Sequence, residues 1–186
     1  MQGGVDTVDS DLVERARAGN RAAFGKLVEP HLPRLLGLAR RMLGSGDEAE
    51  DALQNALASA WIARAKLDPR RPVVAYLTTI TLNKCRDRLR RRKVSSFLGL
   101  VSLDPDMPIA AHQPDFENEI ADRQALANLT RAIGGLPVRL REALILVAIE
   151  GRSQGEVARL LGVTEKAIET RVYRARQRLR QKLDLV

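Results

Sequence analysis

The stretch Gly151–Leu183, GRSQGEVARLLGVTEKAIETRVYRARQRLRQKL, decides the fold. Ser153 is placed to cap a helix, and Glu156 completes a capping box with it. Val157, Leu160 and Leu161 then fall on one helical face. Gly162 ends that helix, because a left-handed backbone costs glycine little. Val163 is suited to fill the gap between two helices, and Thr164 to cap the second. From there Ile168, Val172, Ala175, Leu179 and Leu183 recur at helical spacing and predict a buried stripe. The other faces carry Lys166, Arg171, Arg174, Arg176, Arg178, Arg180 and Lys182. A basic amphipathic helix with a solvated face would show the same charges. The tight turn, the two caps and the short preceding helix instead predict a helix-turn-helix that binds DNA.

Composition sets the outer limits. A chain of 186 residues holds one domain or two small ones. Its hydrophobic content of 45% permits real cores, and with 3% aromatic residues they are built from Leu, Ala, Val and Ile. The net charge of +8 favours a polyanionic partner. The single cysteine, Cys85, excludes an internal disulfide and an all-cysteine zinc site, and it reads as a small core residue. The start MQGGVDTVDSD lacks the basic flank and apolar core of a signal peptide, and no apolar run approaches a membrane span. These features predict a cytoplasmic protein without membrane insertion.

Charge is distributed in blocks. Residues 1–93 hold 18 Lys+Arg and 11 Asp+Glu, and residues 123–186 hold 13 and 6, so each block nets +7. Residues 94–122 hold no Lys or Arg, six acids and three prolines. The expectation is all-α: two small helical domains, 1–93 and 123–186, joined by an acidic flexible linker over 94–122.

In the first block, Asp9 to Ala18 predicts a short helix capped by Asp9 or Ser10. Arg21 to Leu43 continues as helix, which Pro30 and Pro33 must kink or interrupt. After Gly44-Ser45-Gly46, Asp47 opens a helix with an acidic first turn. Ala49, Ala52, Leu53, Ala56, Leu57, Ala60 and Trp61 face its core, and Glu50, Asp51, Gln54, Asn55 and Ser59 are left outside. Val73 to about Lys93 forms the next helix, with Leu77, Thr81, Cys85 and Leu89 as its inner row. Thr79, Asn83, Arg86 and Arg90 line another face, polar and then basic.

With these residues in place, the chain resembles the extracytoplasmic-function (group IV) class of bacterial sigma factors. In the front half the resemblance rests on Ala23-Phe24, on AEDALQNALASAW (49–61) and on AYLTTITLNKCRDRLRRRK (75–93). In the back half it rests on LPVRLREALILVAIEGRSQGEVARLLGVTEKAIETRVYRARQRLR (136–180). It implies a subunit that binds core RNA polymerase and reads promoter DNA, with an anti-sigma factor as a further partner and no cofactor, metal or catalytic residue. Asp51 and Gln54, with Asn55 beside them, match the helix that docks on the polymerase clamp. The loop 66–72 and Asn83, Arg86, Arg88 and Arg90 match the part that captures an unpaired base of the −10 element and melts the duplex. Leu67 stands where many relatives carry phenylalanine, so a polar loop pocket is the expected means of capture rather than stacking. In the −35 reader, Lys166, Glu169, Thr170 and Tyr173 are placed for base edges or adjacent phosphates, and Arg171, Arg174 and Arg178 for phosphates. Glu169 departs from the lysine frequent in relatives and can accept from cytosine N4 or repel a phosphate. The linker is implied to lie in the basic channel of the polymerase.

Two other classes compete. A helix-turn-helix regulator acting apart from polymerase would need a sensing front domain with strands, and no convincing strand pattern is present. A nuclease could use Asp47, Glu48, Glu50 and Asp51, but these crowd one helical turn, where dipole complementation explains them. His31 and His112 are far apart in sequence, which argues against a histidine site.

Overall fold

The computed structural model describes residues 5–97 and 118–183. Among these residues every regular element is helical. Helix α1, Val5–Arg17, starts earlier than expected, so Asp9 and Ser10 lie inside it rather than at its cap. Val5, Val8 and Leu12 extend the helical spacing of Val13 and Ala16 backward, and the early acids suit a helix N-terminus.

Asn20 caps α2, Arg21–Val28, by accepting from the Ala23 amide at 3.0 Å. The interruption expected at the prolines is a single 3₁₀ turn, Glu29–His31, followed by α3, Leu32–Leu43, with Pro33 in its first turn. Gly44 ends α3 with φ 75°, a conformation costly for any residue with a Cβ. Ser45 then caps α4, Gly46–Ile62, by accepting from the Glu48 amide. The alanine-rich inner face of α4 (Ala49, Ala52, Ala56, Ala60) is buried and lets α3 and α5 approach closely. Helix α5 spans Val73–Phe97 and α6 spans Asn118–Gly134, so both ends of the stretch 94–122 are helical. Its centre, 98–117, lies outside the described residues.

In the second half, α7, Val138–Leu144, continues into a π-helical turn, Ile145–Ile149, where the Glu150 amide donates to the Ile145 carbonyl. The helix-turn-helix follows as α8, Gln154–Leu161, and α9, Glu165–Leu183. Both Ser153–Glu156 bonds of the capping box form, Gly162 adopts φ 66°, and the Thr164 hydroxyl accepts from the Ala167 amide at 3.2 Å. The buried stripe of α9 ends at Leu179, because Leu183 is exposed beyond the last packing partner.

Two apolar clusters belong to the first half. Val13, Ala16, Ala23, Leu27 and Leu67 pack under α1, and Val28, Leu35, Leu53, Ala60 and Leu77 hold α3, α4 and α5. The largest cluster crosses between the halves, joining Leu38, Met42, Leu82 and Cys85 to Leu136, Ile145, Leu146 and Ile168. No described helix is long and apolar enough to cross a membrane.

Candidate nucleic-acid and partner interface

Helix α9 turns its apolar stripe inward, and that geometry frees the remaining faces. Lys166 and Glu169 form an exposed ion pair at 2.8 Å, which neutralises the acid at its local site. The Thr170 hydroxyl donates to the Lys166 carbonyl at 2.9 Å. Tyr173 is 60% exposed, and its hydroxyl accepts from Gln177 Nε2 at 2.7 Å. Arg174 and Arg178 are exposed and Arg171 is half-buried. None of the three has an ion-pair partner among the described residues, so their charge is available to phosphates.

This arrangement separates two roles. Arg174→Ala is expected to weaken duplex binding about tenfold whatever the sequence and to flatten its salt dependence by roughly one ion. Substitution of Lys166 or Thr170 is expected to change which bases are preferred. Binding curves at several salt concentrations on a small set of duplexes measure both effects.

The second surface is on α4. Asp51, Gln54 and Asn55 are exposed along its outer side, and the Asn55 amide donates to the Asp51 carbonyl at 2.7 Å. The same side continues through Ala58 to Ile62, which is 77% exposed. A shallow open pocket lies beside it, lined by Arg21, Phe24, Leu57, Ala58 and Trp61. Trp61 was expected in the core and is instead half-buried at this rim. Phe24 meets it edge-on at 5.3 Å, and the guanidiniums of Arg64 and Arg21 stand 4.7 and 5.8 Å from its ring. Cations against the aromatic face favour the ring at this half-buried place.

The third surface is the basic half of α5, where charge pairing differs from the sequence pattern. Asn83 is exposed and accepts from Arg86 Nη1 at 2.8 Å. Arg86 also donates to both carboxylate oxygens of Glu142, at 2.5 and 2.9 Å, and this raises its pKa. Arg88 donates to Glu48 at 3.0 Å and lies 3.9 Å from Asp51. Arg92 reaches Glu48 and the Leu43 carbonyl, and burial lowers its pKa. Of the four predicted residues of this face, only Asn83 and Arg90 are exposed, and Arg90 has no partner among the described residues. In the preceding loop, Leu67 is buried in the cluster under α1 and Tyr76 is half-buried, its hydroxyl donating to the Ala63 carbonyl.

Sequence reasoning missed the residues that join the halves: Arg34, Arg41, Arg141, Glu142, Glu150 and Arg152. For Arg141, Glu142 and Glu150 the only sequence signal is charge inside the otherwise apolar run LREALILVAIE (140–150), and Arg34, Arg41 and Arg152 carry none. Burial of Arg141 and Glu142 follows from the docking of α7, which local spacing does not encode. Among the described residues, no group of three or more His, Cys, Asp or Glu side chains could hold a metal ion.

Residues 27–94 match the family described as Sigma-70 region 2, and residues 126–179 match Sigma-70, region 4. The chain is 38% identical to the RNA polymerase sigma factor CnrH of Cupriavidus metallidurans, over 96% of each protein. It is 35% identical to the ECF RNA polymerase sigma factor SigM of Mycobacterium tuberculosis, over 92% of this chain and 82% of that one. Among solved structures it is similar to CnrH in complex with the cytosolic domain of CnrY, with a TM-score of 0.68 and 33% identity over 96% of this chain and 98% of that one. It is also similar to the sigma factor RpoE in complex with the anti-sigma factor NepR from Bartonella quintana, with a TM-score of 0.69 and 28% identity over 87% and 96% of the two chains.

Proposed function

The chain belongs to the extracytoplasmic-function class of sigma-70 proteins, and from that premise we propose how its surfaces divide the work of promoter-specific initiation. It is a sigma factor: it binds core RNA polymerase and directs it to promoter DNA. The outer side of α4, with Asp51, Gln54 and Asn55, docks on the polymerase. The loop 66–72 and the face of Asn83, Arg86, Arg88 and Arg90 engage the −10 element, and α9 reads the −35 element. The domain division 1–93, 94–122 and 123–186 is kept as the functional plan, with the acidic linker connecting the two promoter readers. The protein works in the cytoplasm, without a chemical step of its own, and an anti-sigma factor is a partner.

The observation that carries the reading is the unpaired arginine stripe of α9, presented by a fully capped helix-turn-helix on a chain that also holds a region 2 unit. A regulator acting apart from polymerase would leave α4 with no use for its exposed polar row. Run-off transcription from a randomised promoter library, with core polymerase plus this protein, tests it. Transcripts enriched for two spaced elements are expected; output equal to core polymerase alone would refute it.

Asp51→Ala combined with Gln54→Ala is expected to weaken core binding about tenfold or more, as loss of central interface residues does. Both side chains are exposed, so the melting transition of the free protein is expected to stay where it is. Normal core affinity of the double variant would remove the assignment.

A further inference from the structure

The face of α3 and α5 that carries Arg86 is covered by the second half of the chain. Leu38, Met42, Leu82 and Cys85 share one core with Leu136, Ile145 and Leu146. At the rim of this contact two glutamates reach three arginines. Glu142, 2% exposed, receives Arg86 at 2.5 Å. Glu150 receives Arg34 at 2.5 Å and Arg41 at 3.0 Å. Arg152 adds a bond to the Thr78 hydroxyl at 3.1 Å. A carboxylate taken out of water is tolerated only with such partners, so each glutamate holds its arginines tightly. Arg86 has all three guanidinium nitrogens engaged, two by Glu142 and one by Asn83, so its charge is already compensated where a phosphate would bind. Helix α9 is not occluded by the same contact, and its arginine stripe stays open.

We propose that this closed arrangement is the resting form of the free chain and that Glu142 and Glu150 are its latch. The two carboxylates occupy cations of the first half, and Glu142 takes the place of a strand phosphate at Arg86. The occupant of the α3–α5 face is therefore this chain's own second half. The free protein meets duplex DNA through α9 while one cation of its site for unpaired DNA, Arg86, is masked and Asn83 and Arg90 stay open. Closure is independent of the functional reading; the masking of a strand site rests on it.

Cys85 gives a direct test, because it is the only cysteine and lies fully buried in the shared core. Glu150→Gln and, separately, Arg34→Gln cut the latch away from Cys85 and from the DNA-facing residues. In the full chain at neutral pH, alkylation of Cys85 is expected to accelerate about tenfold or more in each, as loss of one partner of a buried ion pair shifts the closed population. Binding of a mixed-sequence single-stranded oligonucleotide is expected to tighten severalfold, with duplex binding unchanged. Circular dichroism melting identifies any variant that unfolds, and the other then decides. Parent-like Cys85 reactivity in a folded variant would overturn the latch. Faster alkylation with unchanged oligonucleotide affinity would overturn the masking alone. Failure of the run-off assay beside faster alkylation would count against the sigma-factor reading and leave the closure standing.

Discussion

Cys85 in the native chain is expected to react with iodoacetamide at about pH 8 roughly a thousandfold more slowly than in denaturant. The thiolate is the reacting species, so its population sets the rate. The thiol is fully buried, and its pKa is pushed from 9.0 up to about 12. Burial is the main cause, Glu142 adds to it, and Arg86 opposes it. Each unit of that shift is a factor of ten in thiolate, hence about a thousandfold overall. The same shift has a consequence for stability. A group whose folded pKa lies above its unfolded value stabilises the fold fully below the unfolded value, here 9.0, and loses that contribution as pH rises toward about 12. Denaturant midpoints are therefore expected to fall above about pH 9 in the parent protein and to fall less in Cys85→Ala. Equal alkaline slopes in the two proteins, or native labelling within tenfold of the denatured rate, would contradict this picture.

The second large effect is expected at Arg141. Arg141 is 6% exposed, and its guanidinium donates to the carbonyls of Met42, Gly134 and Leu136. Met42 is in the last turn of α3, and Gly134 ends α6. Helix C-termini leave carbonyls unpaired and carry partial negative charge, so one buried cation there serves both helices. Burial lowers the pKa of Arg141, and Arg92, which donates to the neighbouring Leu43 carbonyl, lowers it further. The site is thus a place where cations are costly and still needed. Arg141→Ala strips two buried acceptors and a part-buried one at once and is expected to lower stability by about 3–5 kcal/mol, after partial relaxation. Arg141→Lys keeps the charge but not the fork, and is expected to fall between. Urea unfolding followed by circular dichroism and by the single tryptophan, Trp61, measures the loss. A change below about 1 kcal/mol would mean that water or rearranged donors satisfy the carbonyls.

What the sequence determined by itself is what depends on neighbours within about one helical turn. The capping box at Ser153 and Glu156, the left-handed stop at Gly162 and the cap at Thr164 are local bonds between local residues. The stripe through Ile168, Val172, Ala175 and Leu179 follows from helical spacing, so the open face of α9 was legible with it. The break at Pro30 was legible because proline lacks the amide that the helix requires. The exposed row on α4 was readable for the same reason, since alanines mark its inner side.

Only the tertiary structure decided which charges meet. RDRLRRRK (86–93) reads alike whether it faces water or glutamate. Arg86 meets Glu142 and Arg88 meets Glu48 because α5 packs between α7 and the start of α4. Trp61 departs from its expected place in the core for a similar reason. The pocket under α1 takes Leu67, and the tryptophan is left to the guanidiniums at the rim. Burial of Arg141, Glu142 and Glu150 needs two helical units docked on one another, and a charge pattern along one helix holds no record of the surface that will cover it.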